Sequence, residues 1–406
     1  MTRLRSAQTP PGFITLVSGP AVSIVSLNMF LPALPRMAED LGVSYAQASL
    51  AFSGYLAVIA ALQLALGPLS DRFGRRPVLL AALGIFVLAS IGCALATRIE
   101  TLLAWRAVQA VVIGASTVSA AAVRDVTGPA GAASRLGALG MVMAIGPMVG
   151  PMIGGLLDQA FGWRAVFWAL AGLGAAAFTL AWLDFGETNT RRNASMLAQF
   201  RGYPAVMQSG VFWSCALVMT FGIGCFYVFL AGAPLVAEGV FDLPPAAVGI
   251  ALGIITAGFF LGNALSKQLS ERAGLGRMIL AGRISAVVGM ALSALALILA
   301  EPNVWVYFGC VVLVGLGNGL STPSANAGVM SVDPALAGSA AGLAGAMIMA
   351  GGAVLTSGVG WVLVQGWMPV EQMLVALIST VALVGLLTGV WAYRGLRATG
   401  VDEPVS

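Results

Sequence analysis

Apolar stretches of about 20 residues follow one another along almost the whole chain, separated by short polar breaks. A helix of that length crosses the hydrocarbon core of a bilayer, and no soluble core needs so many in succession. Only 9% of the 406 residues are charged; a soluble domain carries about a quarter. The runs are continuous, whereas the strands of a membrane barrel alternate. In lipid a helix satisfies its own backbone polar groups. The reading is an all-α integral membrane protein with spans at 13–35, 46–69, 77–97, 101–123, 134–157, 163–184, 209–235, 246–268, 276–299, 303–329, 338–363 and 370–393.

The longest polar connection, 185–208, carries Glu187, Arg191, Arg192 and Arg201 and falls near the midpoint. It divides the chain into a first bundle (1–184), a linker (185–208) and a second bundle with a short tail (209–406). The other loops are short, so successive helices run antiparallel. With the N-terminus in the cytoplasm, most arginines and Lys267 fall on the cytoplasmic side, Arg283 counted among them, and only Arg36, Arg98 and Arg164 fall outside. Both termini are then cytoplasmic. The halves also echo each other: Leu69-Ser70-Asp71-Arg72-Phe73-Gly74 matches Leu269-Ser270-Glu271-Arg272-Ala273-Gly274 at an offset of 200, and Gly137, Gly140 and Gly146 match Gly342, Gly345 and Gly351 at 205.

Several functions are excluded early. Histidine is absent, which removes His-based triads and zinc sites. Cys93, Cys215, Cys225 and Cys310 are scattered singly through apolar segments without metal spacing, so neither a metal site nor a disulfide framework is expected. No cofactor motif is present. The formal charge of +4 lies in short loops instead of one basic patch, which argues against nucleic acid as a partner. The N-terminal segment runs straight into a span too long for a signal-peptide core. A membrane enzyme would need a catalytic constellation, and a channel a continuous polar pore; neither is visible.

The densest motif lies between spans 2 and 3: Gly67-Pro68-Leu69-Ser70-Asp71-Arg72-Phe73-Gly74-Arg75-Arg76-Pro77. Gly67 allows a close helix approach, Gly74 a tight turn, and the arginines face anionic headgroups. Asp71 at the membrane edge needs a cationic partner. In span 5, Gly146, Gly150 and Gly154 recur every four residues and form a smooth strip, while Pro147 and Pro151 remove backbone donors. Arg106 lies inside span 4, where a cation is expensive; it either serves coupling or substrate, or snorkels to the nearby surface.

These motifs carry a resemblance. The Gly67–Pro77 stretch resembles motif A of the major facilitator superfamily, Leu103-Ala104-Trp105-Arg106-Ala107-Val108-Gln109-Ala110 with Gly114 resembles motif B, and Gly146-Pro147-Met148-Val149-Gly150-Pro151-Met152-Ile153-Gly154-Gly155 resembles motif C of the twelve-span drug:proton branch. Asn28-Met29-Phe30-Leu31-Pro32-Ala33-Leu34-Pro35 is similar to the matching segment of Bcr/CflA multidrug exporters. The resemblance implies the major facilitator fold: twelve helices in two pseudo-symmetric six-helix bundles, normally a monomer, that rock around a central cavity. It implies that the motif C face, ending at Gly155, packs against the second half at the outer gate. It also implies a latch between Asp71 and an arginine such as Arg124, beside Asp125, in the outward-open state.

The resemblance also meets a departure. Many subfamily members carry an acid where this chain has Asn28, which cannot titrate. Coupling then runs through an edge carboxylate (Asp71 or Asp125) assisted by Arg106, or the protein is uncoupled or potential-driven, or the asparagine is itself a substitution of an aspartate. The expected cavity residues are Asn28, Phe30, Tyr55, Gln63, Arg106 and Gln109, with Phe226, Tyr227, Asn263, Asn318 and Asn326 from the second half. So sparse a polar lining suits neutral or zwitterionic amphipathic drugs better than sugars. The expectation is a bacterial inner-membrane exporter working by alternating access and coupled to protons; the alternative is an uncoupled exporter of a metabolite or amino acid on the same fold.

Overall fold

The computed structural model of the protein describes residues 11–127, 129–189, 203–333 and 336–399. Eleven helical stretches among the described residues are long and apolar enough to cross a membrane, and Pro129–Phe161 is a further helix of 33 residues. In chain order the spans are Phe13–Asp40, Tyr45–Phe73, Arg75–Ala94, Ile99–Val126, Pro129–Phe161 and Trp163–Asp184, numbered 1 to 6. Spans 7 to 12 are Gly210–Gly239, Pro245–Ala273, Leu275–Leu299, Val304–Met330, Ala337–Leu363 and Val370–Ala398. Most of the linker, 190–202, lies outside the described residues, and with it Arg191, Arg192 and Arg201. So do Arg3 and Arg5.

The bundle is apolar on the outside: Trp305, Ile298, Val354 and Leu387 are each at least 70% exposed, as a lipid-facing surface requires. The turns fall on two faces. One carries the linker and the turns at Gly74 and Gly274, and is called the linker face here; Gly42, Gly162, Asp242 and Gly366 lie on the opposite face.

The internal repeat is visible in the backbone. Spans 2 and 8 are both 29 residues long, shifted by 200. Each ends at a glycine of positive φ (Gly74 at 101°, Gly274 at 84°) whose N–H closes onto the carbonyl of Ser70 or Ser270. The turns before them match as well, with Gly42 at φ 64° and Asp242 at φ 49°. Those left-handed positions let the chain reverse within a few residues.

Two spans are not continuous. Span 1 stops being α-helical at Asn28, passes through a 3-10 turn at Leu31–Ala33 and resumes at Leu34–Asp40. Pro32 explains the break: it has no N–H for the carbonyl of Asn28, and its ring crowds that carbonyl. Span 4 tightens into a 3-10 turn at Ala110–Val112, immediately after Gln109. Both breaks occur at mid-span, where polar side chains are needed.

Candidate substrate cavity and gates

Between the halves lies a cavity of about 300 Å³. Spans 1 and 5 supply Ile24, Leu27, Asn28, Gly140, Met143, Ala144 and Pro147; spans 7, 8, 10 and 11 supply Ile223, Phe226, Tyr227, Thr256, Phe259, Gly315, Asn318 and Met349. The lining is apolar except for four groups. Asn28 donates Nδ2 to the Ile24 carbonyl at 2.9 Å, leaving Oδ1 without a partner. Asn318 accepts at Oδ1 from Arg283 at 2.6 Å. The Thr256 hydroxyl has no partner, and the Tyr227 hydroxyl reaches only the Met349 sulfur at 3.7 Å. An apolar wall with a few convergent polar groups is the ordinary make-up of a small-molecule site.

Close contacts between the halves gather toward the opposite face. Tyr45 donates its hydroxyl to the Ala231 carbonyl at 2.6 Å, and Ala246 N–H donates to Gln159 Oε1 at 3.4 Å. A methyl at Gly155 would run into the carbonyl of Pro245, one at Gly249 into that of Pro151, and one at Gly360 into Ser49. Phe52 meets Tyr227 edge-on at 5.7 Å. The cavity is thus shut on the opposite-face side by glycine-mediated helix packing.

Arg106 does not snorkel. It is 1% exposed, with Nε donating to the Ala51 carbonyl (3.2 Å) and Nη1 to the Ser26 carbonyl (3.3 Å) and Gln109 Oε1 (2.5 Å). Its guanidinium carbon lies 4.2 Å from the Phe30 ring and 3.9 Å from the Tyr55 ring. Gln109 continues the chain to Ser90 at 2.7 Å, and Tyr55 shares a hydrogen bond with Ser26 at 3.0 Å. The expectation that these residues line the cavity is therefore corrected: Phe30, Tyr55, Arg106 and Gln109 form a buried network behind Asn28 and are not among its lining residues. Oxygens and ring faces surround the charge there, and Nη2 is left without a hydrogen-bond partner.

At the linker face, Arg75 is the hub. It pairs with Asp71 at 2.5 Å and Asp125 at 3.1 Å, and its N–H donates to Glu187 at 2.9 Å. A methyl at Gly74 would meet that same Glu187 carboxylate. Arg76 is buried and donates to the Trp182 carbonyl at 2.8 Å. Arg72 extends outward over the Phe73 ring. In this arrangement Arg124 caps its own helix at the Ala120 carbonyl, and the partner of Asp71 is Arg75.

A profile of the Major Facilitator Superfamily matches residues 16–357. The chain belongs to that superfamily. A chloramphenicol resistance protein of Pseudomonas aeruginosa is 37% identical over 306 residues, 72% of this chain and 70% of that protein. The multidrug resistance protein MdtL of Escherichia coli is 38% identical over 163 residues, 40% of this chain and 42% of MdtL's own length. Among solved structures, a D-xylose–proton symporter superposes with a TM-score of 0.78 at 15% identity, covering 94% of this chain and 96% of that one. A bacterial homologue of the lysosomal transporter Spinster gives 0.72 at 16% identity, covering 97% and 98%. These two share the fold. The chain is a multi-pass transporter of the facilitator type.

Within this facilitator, four expected cavity residues meet at the cavity: Asn28, Phe226, Tyr227 and Asn318. Gln63, half-buried, packs against Gly345; Asn263 donates to its own helix at Phe259; Asn326 is half-buried, and none of the three lines the cavity. The motif C strip is corrected too. Gly146 faces Ile24, Gly150 faces Asn28 and Met29, and Gly154 faces the Met29 carbonyl, all of span 1 in the same half. The second half is met by the neighbouring face instead, through Pro151 and Gly155. One helix face cannot serve both partners, and the strip takes the nearer one.

Two residues escaped the sequence reading. Arg283, counted among loop cations, is 1% exposed inside span 9. Its position eight residues into an apolar run was the available signal. Asp158 fell one residue past the expected end of span 5, yet the helix continues to Phe161 and leaves it 1% exposed. Both its carboxylate oxygens lack hydrogen-bond partners, and its nearest cation is Arg36 Nε at 3.8 Å.

Proposed function

We propose that this facilitator exports neutral amphipathic drugs of the chloramphenicol type across a bacterial inner membrane, in exchange for protons, with both termini cytoplasmic. The observation that carries the reading is the cross-half cavity of about 300 Å³, apolar apart from four hydrogen-bonding groups and without a carboxylate among its lining residues. A permanent cation would find no countercharge there; a neutral amphiphile would find apolar walls and a few polar partners. Residues 1–184 and 209–406 rock as two bundles joined by 185–208. The linker face points to the cytoplasm, because the arginines outside the spans cluster on it while Arg36, Arg98 and Arg164 lie on the other. With the opposite face shut, the arrangement faces inward.

The coupling carboxylate on this reading is Asp158. Asp71 and Asp125 are held by Arg75 at the linker face, whereas Asp158 is buried with one long ion pair and no hydrogen bond. The test is chloramphenicol uptake into proteoliposomes whose linker face points outward, with and without an acid lumen. The native protein should respond to the gradient, and Asp158→Asn should bind drug while losing most of that response. Uptake indifferent to the gradient in the native protein would favour the uncoupled exporter; an unchanged response in the variant would return the coupling role to Asp71 or Asp125.

A further inference from the structure

Arg283 has no task in the reading above, yet the surrounding helices are shaped to hold it. Two glycines make its room: a methyl at Gly222 of span 7 would meet Nη1, and one at Gly389 of span 12 would press on the aliphatic stem. From this slot Nη2 donates to the Gly317 carbonyl (3.1 Å), Asn318 Oδ1 (2.6 Å) and Ser321 Oγ (2.5 Å), all on span 10. Among the described residues no carboxylate pairs with it. A cation buried in a membrane span without a counter-ion is costly, and a fold that keeps one uses it.

The use follows from the chemistry of the amide. An asparagine offers one acceptor and one donor group. Arg283 occupies the acceptor of Asn318, so the end left over is the N–H₂, which has no protein acceptor among the described residues. Across the cavity Asn28 is set the other way: its N–H₂ is spent on Ile24, and its oxygen is left over. The second half therefore presents a donor, while the unpartnered oxygen of the first half, at Asn28, is buried. We propose that Arg283 is a positioning residue that fixes Asn318 as the cavity's donor, selecting substrates that carry an uncharged oxygen acceptor, while its own charge turns away cationic amphiphiles. This inference rests on the proposed export reading.

The test measures binding and transport of chloramphenicol, an acceptor-rich neutral compound, beside tetraphenylphosphonium, a cation without an acceptor. In Arg283→Lys the planar fork is lost. For chloramphenicol, KM should rise about tenfold, the size of one lost hydrogen bond, with kcat within about twofold. Asn318→Leu removes the donor while Arg283 keeps the Gly317 carbonyl and the Ser321 hydroxyl, and should give the same KM rise, so the result does not depend on Arg283→Lys being recovered folded. Asn318→Asp should lose chloramphenicol and gain tetraphenylphosphonium, because its carboxylate neutralises the arginine. A purely structural role would instead lower kcat and recovery for both compounds alike, and that result would overturn the proposal. Native affinity for chloramphenicol in a monodisperse Arg283→Lys or Asn318→Leu would overturn it alone. Failure of the native protein to bind chloramphenicol would overturn it together with the export reading.

Discussion

A guanidinium stripped of water has to be solvated by the protein itself, and at Arg106 two ring faces and three oxygens do so. A desolvated cation–π contact is worth about 2 kcal/mol, and a neutral hydrogen bond about 1. Tyr55→Phe keeps the ring and loses only the bond to Ser26, so it should cost about 1 kcal/mol. Tyr55→Leu loses the ring as well and should cost about 3 kcal/mol. Thermal unfolding in detergent should then rank native above Tyr55→Phe above Tyr55→Leu; equal melting of the two variants would deny the ring its role. At this scale the sequence was a partial guide. Arg106 and Gln109 stood out as polar residues in an apolar run, but nothing in their spacing said that Phe30 and Tyr55 would enclose them. Arg283 and Asp158 were missed for simpler reasons: Arg283 was counted with the cytoplasmic cations although it lies within the span read at 276–299, and Asp158 fell just past the expected end of span 5, where burial depends on where the helix stops.

Helix ends and helix faces set the next scale. Pro32 ends the first α-helical stretch of span 1 at Asn28, which lines the cavity together with Ile24 and Leu27. The glycines of span 5 divide by partner, and the division predicts unequal tolerance. At Gly154 a methyl would collide with the Met29 carbonyl, whereas at Gly150 the nearest atoms of span 1 are 3.8 Å away. Gly154→Ala should therefore destabilise by about 1–3 kcal/mol through overpacking. Gly150→Ala should be neutral or gain up to about 1 kcal/mol from helix propensity. Detergent melting and drug uptake should both separate the two, and equal behaviour would mean spans 1 and 5 are not in tight contact in the membrane. The four-residue glycine period was legible in the sequence as a packing strip. Its partner was not, because periodicity fixes which residues share a face and leaves open what that face meets.

For the whole molecule, hydropathy located the twelve helices closely because lipid demands long apolar segments with internally bonded backbone. The offset of 200 between the two half-chain motifs reappears as matched turns at Gly74 and Gly274. The cavity was legible only in part. Asn28, Phe226, Tyr227 and Asn318 reach it, while Thr256 and Phe259 came from span 8, where the sequence reading pointed to Asn263 instead. Which polar groups face a cavity and which bond a neighbouring helix is settled by rotation of each helix, and the loops do not encode that. Transport by alternating access requires the opposite-face seam between spans 2 and 11 to part and re-form in every cycle. Gly360 lies against Ala46 across that seam, within disulfide reach. The decisive measurement is chloramphenicol transport by Ala46→Cys/Gly360→Cys in proteoliposomes, oxidised and then reduced, with Ser49→Ala added to remove the hydroxyl that a side chain at 360 would meet. Oxidation should stop transport while drug binding from the linker face persists, and reduction should restore it. Full transport through a verified cross-link would contradict export by alternating access around this cavity.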